Sequence, residues 1–272
     1  MTQIFRRIID EVSRVKLYKY SAALAFYALQ ALAPMIIIFT AIGGLLIGEG
    51  AAESQLVNYF GERLGDKAMP LFQDLILALK QSEASALFSI IGLVIMIYGL
   101  AHFFFVLREA FFSIFGVDFK RLKDSKGKFK TFAHSMLYTF FLAVLVLSLM
   151  FVNILTPFLI SFPGIFLLDF LSKLPFVNFL TTLITSTLAL TLIYKFAAGG
   201  SVFWRSALLG AVTAALLFTV VNVALVLYFG IFAGIDAIYG ASGALIAFLL
   251  WVYYSTKILL FGGLIAKIYT SD

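Results

Sequence analysis

Six stretches of the chain stay almost wholly apolar for twenty or more positions, with polar residues gathered between them. They run roughly Ser21–Ile47, Leu87–Leu107, Phe132–Phe158, Phe176–Phe196, Ala207–Phe232 and Ala241–Ala266. An α-helix crosses the hydrocarbon of a bilayer in about 20 residues at 1.5 Å each. In lipid, every backbone N–H and C=O must be bonded within its own segment, so runs of this kind form helices. The pattern predicts an all-α integral membrane bundle of six transmembrane helices. Spans five and six are joined by a tight turn around Gly234–Asp236 and form an antiparallel hairpin.

Lysine and arginine in the connections set the orientation. The N-terminal arm holds five, residues 49–84 three against six acids, and residues 108–130 seven. Residues 159–175 hold one, the connection between Lys195 and Arg205 two, and residues 233–240 none. This alternation predicts both termini in the cytoplasm and an even number of spans, because basic loops stay inside.

Three connecting segments carry helical patterns of their own. Ile4, Phe5, Ile8, Ile9, Val12 and Val15 alternate with Arg6, Arg7, Asp10, Glu11 and Arg14. Residues 1–20 therefore read as a cytoplasmic amphipathic arm whose bases meet anionic headgroups. Residues 49–84 read as an outer amphipathic segment in two short interfacial pieces broken near Gly65–Pro70. Residues 164–171, between Pro163 and Pro175, are too short to span and read as re-entrant or interfacial. Residues 108–130 form a basic cytoplasmic loop, and residues 1–272 make a single membrane domain.

Composition agrees. Hydrophobic residues make up 62% and charged ones 12%, half the charge a soluble domain carries. Cysteine is absent, which excludes disulfides and thiolate metal sites. The first twenty residues lack the apolar region and cleavage site of a signal peptide. The net charge of +6 flanks apolar runs and forms no single surface, so it points to membrane topology and away from nucleic acid. There is no HExxH, no GxSxG with matching partners, no phosphate-binding loop and no carboxylate cluster. The expectation is no enzyme, with no catalytic residues, metal site or cofactor.

Polar residues inside the spans mark the candidate chemistry, since each needs a partner or a wet cavity. Lys257 lies about 13 Å inside the cytoplasmic end of span six by helical rise, and shares one sector with Ser242, Tyr253 and Thr256. Lys257, Tyr253, Ser242, Asn222 and Gln30 are the candidate substrate cavity, with Lys257 placed to hold an anionic headgroup. A snorkelling lysine and an Asn222 that bonds a neighbouring helix are the structural alternatives. Pro34, four residues after Gln30, and Pro157, four after Asn153, are candidate hinges because each frees a helical carbonyl. His102 and His134 lie at span ends as solvated or structural residues. Ala207, Ala211 and Ala215, with Gly210 and Ala214, form a small-residue face for close helix packing.

The stretch Phe203-Trp204-Arg205-Ser206-Ala207-Leu208-Leu209-Gly210-Ala211, the run from Tyr239-Gly240-Ala241-Ser242-Gly243 to Leu250-Trp251-Val252-Tyr253-Tyr254, and Ala22–Leu29 with Pro34 resemble the BrkB/YihY family of bacterial inner-membrane proteins, formerly labelled ribonuclease BN-like. Family members often carry an acid after the small pair near the end of span six, where this chain has Leu264 after Gly262-Gly263, and often Pro-Asn where it has Ala198-Gly199-Gly200. The residues give the ribonuclease label no support. The resemblance implies a bacterial inner-membrane location and links to envelope lipid export. The expectation is a transporter-like protein that moves or hands over an amphipathic anionic lipid, a phospholipid or lipid A-type molecule, with membrane lipids as its partners. A channel or small-solute exporter is one alternative. A scaffold that docks envelope-assembly proteins through residues 49–84 is another.

Overall fold

The computed structural model describes residues 2–64, 68–81, 86–116, 175–197, 202–231 and 242–270. Among these residues there are eight helices and no strand: α1 (Thr2–Val15), α2 (Leu17–Ile47), α3 (Glu49–Leu64), α4 (Ala68–Gln81), α5 (Ala86–Phe115), α6 (Pro175–Ala197), α7 (Trp204–Ile231) and α8 (Ser242–Thr270). Helices α2, α5, α6, α7 and α8 coincide with spans one, two, four, five and six. Among the described residues, three stretches are long and apolar enough to cross a membrane: Tyr98–Phe115, Trp204–Tyr228 and Leu245–Thr270. Span three, Asn153, Pro157, His134, residues 164–171 and the turn at 234–236 lie outside the described residues.

Two helices run further than the apolar pattern alone indicates. Helix α5 continues past Leu107 through Arg108 and Glu109, both good helix formers, and stops before Gly116, whose φ of +71° suits a left-handed helix end. Helix α8 continues past Ala266 to Thr270. His102 is therefore a mid-helix residue. Lys257 stands thirteen residues from the end of α8, about 20 Å by helical rise, deeper than the sequence pattern gave. Helix α2 is continuous through Pro34. Helices α3 and α4 occupy the stretch read as two amphipathic pieces, and Pro70 falls in the first turn of α4, where its missing N–H leaves no bond unmade.

The chain divides into two compact units. Unit 1 comprises Met1–Tyr20, Phe104–Phe218 and Lys257–Asp272, and unit 2 comprises Ser21–Phe103 and Thr219–Thr256.

Unit 1 is built on small residues. Ala207, Ala211, Ala214 and Ala215 of α7 are fully buried, as are Leu264 and Ala266 of α8. A Cβ on Gly210 would collide with the Gly262 carbonyl oxygen and stand 2.8 Å from Ala266 Cβ. The buried Tyr194 hydroxyl of α6 donates to the Leu259 carbonyl at 2.8 Å, and its ring meets Phe111 of α5 edge-on at 6.2 Å. Ser206 Oγ donates to the Tyr269 carbonyl at 3.0 Å. The short approach of backbones is what makes these polar bonds between helices reachable.

Helix α1 docks in the same unit. Val15 is buried, while Arg6, Arg7, Asp10 and Arg14 are exposed. The helix turns into α2 at Lys16, whose φ of +54° costs a non-glycine residue about 1 kcal/mol. Glu11 accepts two bonds from Lys267 Nζ at 3.1 Å and pairs with Arg14 at 2.7 Å. Partial burial pushes the Glu11 carboxyl up, but the hydrogen bonds and charges of Lys267 and Arg14 outweigh it, so its pKa lies below the ordinary value. A depressed carboxylate stabilises the fold above its unfolded pKa, and that contribution is lost as pH falls through the folded value. Glu11→Gln should thus lower stability by up to about 1 kcal/mol at pH 7. In detergent melts of both proteins, the difference should vanish on acidification below the carboxylate range.

Unit 2 packs larger side chains. Leu24, Leu32, Ile36 and Phe39 of α2 are buried, as are Leu56, Phe60 and Leu64 of α3 and Phe72 and Ile76 of α4. Phe60 and Phe72 stack in parallel at 4.0 Å, which holds α3 and α4 together. Phe248 of α8 meets Phe60 edge-on at 6.1 Å. The turn from α2 to α3 needs Gly48 at φ +87°.

Candidate functional site

In unit 2, α7 and α8 leave a groove on the protein surface. Val221, Ala224, Leu225 and Tyr228 line it from α7 at the i, i+3, i+4, i+7 spacing of a single helical face, and Leu250 and Tyr254 line it from α8. Its volume is about 360 Å³. Four of the six residues are aliphatic, and the two tyrosines supply the polar atoms. Ala224 and Tyr228 are exposed, so the groove opens outward and is not an enclosed chamber.

The helices that form it are fastened by a polar bond. Trp251 Nε1 donates to Asn222 Oδ1 at 3.1 Å. In lipid neither group has water as an alternative, so the pair fixes the register of α7 on α8. Trp251 is also packed on Phe248 at 6.2 Å, and Tyr253 meets Tyr254 edge-on at 5.2 Å. Ala224, two residues beyond Asn222, is the small side chain that leaves room for the groove.

The residues read from sequence as the substrate cavity fall in several places. Asn222 joins α8 through Trp251. Tyr253 and Lys257 are half-buried on successive turns of α8, and Thr256 turns its hydroxyl back onto the Val252 carbonyl at 2.8 Å. Ser242 opens α8. Gln30 is elsewhere, on the contact of α2 with α5, where a Cβ on Gly99 would stand 3.0 Å from Gln30 Cβ. Sequence reasoning missed Val221, Tyr228, Leu250 and Tyr254 as a set. The available signal was two tyrosines on neighbouring apolar faces of spans five and six. The His102 ring packs with those of Tyr98 and Tyr27, its centroid 3.9 Å and 5.4 Å from theirs, as a structural histidine would. Among the described residues, no group of histidines and carboxylates fit to hold a metal ion is present.

Long apolar helices with small-residue contacts and intramembrane polar bonds define a helical membrane protein. The profile of the family described as Virulence factor BrkB matches residues 8–271, and the chain belongs to that family. A UPF0761 membrane protein of Mannheimia succiniciproducens is 27% identical over 259 residues, covering 91% of this chain and 82% of its own. UPF0761 membrane proteins of Actinobacillus pleuropneumoniae and Pseudomonas aeruginosa are each 40% identical over 80 residues, 29% of this chain. Those stretches span 29% and 20% of the respective relatives, less than a third of their length. No solved structure matches the chain. The expected BrkB/YihY kinship is thus met.

Proposed function

We propose that this protein spans the bacterial inner membrane six times and moves or hands over an amphipathic anionic lipid. The observation that carries the reading is the outward-opening groove of Val221, Ala224, Leu225, Tyr228, Leu250 and Tyr254. An apolar groove on spanning helices is unlike a water-filled pore, whose lining is polar, and it suits an acyl chain entering from the bilayer. Tyrosine hydroxyls at such a groove bond ester or phosphate oxygens. The charged residue we assign to the headgroup is Lys257, on the same helix as Tyr254. It lies ten residues, about 15 Å by helical rise, from Lys267, which pairs with Glu11 of the amphipathic α1. That depth is near the limit of a snorkelling stem.

Charge supports the orientation. Among the described residues, unit 1 holds ten lysines and arginines against three acids, whereas unit 2 holds two against four. Helices α5, α7 and α8 each contribute to both units, changing at 103/104, 218/219 and 256/257. A division drawn from backbone contacts thus also divides the charge. The basic unit holds the ends that the positive-inside rule assigns to the cytoplasm.

A photoreactive side chain placed at position 224 tests the groove. Irradiation in native membranes should give adducts enriched in anionic phospholipid over the bulk composition, whereas the same side chain at the exposed, outward Val223 should capture bulk lipid. Equal lipid composition at both positions would reduce the groove to ordinary lipid-facing surface.

A further inference from the structure

Helix α1 of unit 1 is fastened sideways to the end of α8, and that pose fixes which of its faces stays open. Ile8, Glu11, Val12 and Val15 recur at the i, i+3, i+4, i+7 spacing of one helical face, and all four are buried or half-buried. Lys267, in the last turn of α8, meets both Glu11 carboxylate oxygens at 3.1 Å. The pair is shielded, with its side chains 20% and 22% exposed, whereas the Arg14 side chain beside it is 56% exposed. Arg7 and Arg14 lie about 100° to one side of the docked face, and the half-exposed Ile9 lies about as far to the other. A helix with one packed face, one basic flank and one apolar flank fits the boundary between headgroups and acyl chains.

The same end of α8 receives α7. Ser206 donates to the Tyr269 carbonyl at 3.0 Å, two residues beyond Lys267, so the first turn of α7 stands beside the last turn of α8. It brings the exposed Arg205 and the exposed rings of Phe203 and Trp204. Tyr18 and Tyr269 are exposed as well. Aromatic rings interleaved with bases at the ends of apolar helices mark the headgroup layer. Among the described residues, the exposed charges here are Arg6, Arg7, Arg14, Lys16, Lys19 and Arg205, against the acid Asp10.

We propose that the Glu11–Lys267 pair positions α1 so that its arginines, with Lys16, Lys19 and Arg205, form one surface that holds the phosphodiester headgroups of anionic phospholipid. The partner is a lipid surface because the same end offers aromatic rings and an apolar flank, which an acidic protein or a nucleic acid would leave in water. The surface shares no residue with the groove and holds whether or not any lipid is moved. Glu11 separates positioning from bare charge. It is an acid within a basic surface, so simple attraction predicts that replacing it strengthens the binding of anionic lipid. Positioning predicts that replacing it weakens that binding.

Lipid retention tests the proposal. The full chain is released from nanodiscs of equal phosphatidylglycerol and phosphatidylcholine, and the lipids that stay bound are counted by native mass spectrometry. Every protein carries Ala224→Trp, which fills the groove, so that lipid held there is not counted. The parent should retain phosphatidylglycerol about fivefold over phosphatidylcholine, the preference that one well-placed base confers near an anionic surface. Glu11→Lys should cut that preference to roughly half or less, although it turns a negative charge positive. Glu11→Gln serves where lysine disturbs folding, and it should move the preference the same way. Glu11→Lys combined with Lys267→Glu re-forms the pair with its signs reversed at the parent's net charge, and should restore the preference. A parent that retains both lipids equally, a preference that holds or rises on replacing Glu11, or a reversed pair that restores nothing would each overturn the surface.

Discussion

Gly262→Leu should abolish stable folding in detergent, and Gly262→Ala alone should cost about 1–3 kcal/mol, the usual penalty for forcing a methyl into a filled core. The added Cβ would collide with the Tyr194 hydroxyl and stand 2.6 Å from Ala214 Cβ and 2.8 Å from the Gly210 carbonyl oxygen. Two of those neighbours have little freedom to move. The Gly210 carbonyl is helix backbone, and the Tyr194 phenol is held by Leu259. Gly210→Leu and Ala211→Leu should be nearly as damaging, since a Cβ at 210 already meets the Gly262 carbonyl oxygen and Ala211 is fully buried on the same helix. Leu209→Ala should change stability by less than about 0.5 kcal/mol, because Leu209 is 49% exposed and lies on the outer face of the same helix. Melting curves of the five variants rank them directly. If Leu209→Ala proves the worst, α7 faces the other way.

That packing was legible because its signal is local. Small residues every fourth position on span five can only mean a close neighbour, and the structure supplies it in Gly262 and Ala266. The break between α3 and α4 was legible for a similar reason, as Gly65 and Pro70 interrupt two apolar periodicities. The ends of α5 and α8 were not. Arg108 looks like the first residue of a loop because it is charged, yet it is 9% exposed with its guanidinium 4.9 Å over the Phe112 ring. A charged residue can extend a helix once a neighbouring aromatic face receives it. The groove and the contact of Gln30 with Gly99 were beyond local pattern altogether. Tyr228 and Tyr254 resemble any interfacial tyrosines until α7 and α8 are set side by side. Gln30 opposes Gly99 only because α2 packs on α5, which no periodicity in either helix states.

Lys257→Met should remove at least nine-tenths of lipid movement, while Lys257→Arg should retain at least half. A cation near the centre of a spanning helix costs about 2.5–3.5 kcal/mol on the insertion scale, so methionine should insert more readily than lysine does. A loss of function would then come from the missing charge and not from misfolding. Arginine keeps the charge and can bind a phosphate through two parallel hydrogen bonds. A lysine that only sets helix depth gives a different result, with Lys257→Met fully active.

The central claim is that a lipid passes through the groove, and the most direct measurement is lipid translocation in liposomes of anionic phospholipid carrying a fluorescent reporter lipid. The purified protein should accelerate loss of inner-leaflet protection well above protein-free vesicles. Ala224→Trp, which fills the groove at an exposed position, should bring the rate back to that of empty vesicles while leaving the melting temperature unchanged. Translocation by Ala224→Trp at the wild-type rate, or none by the wild-type protein, would contradict the account.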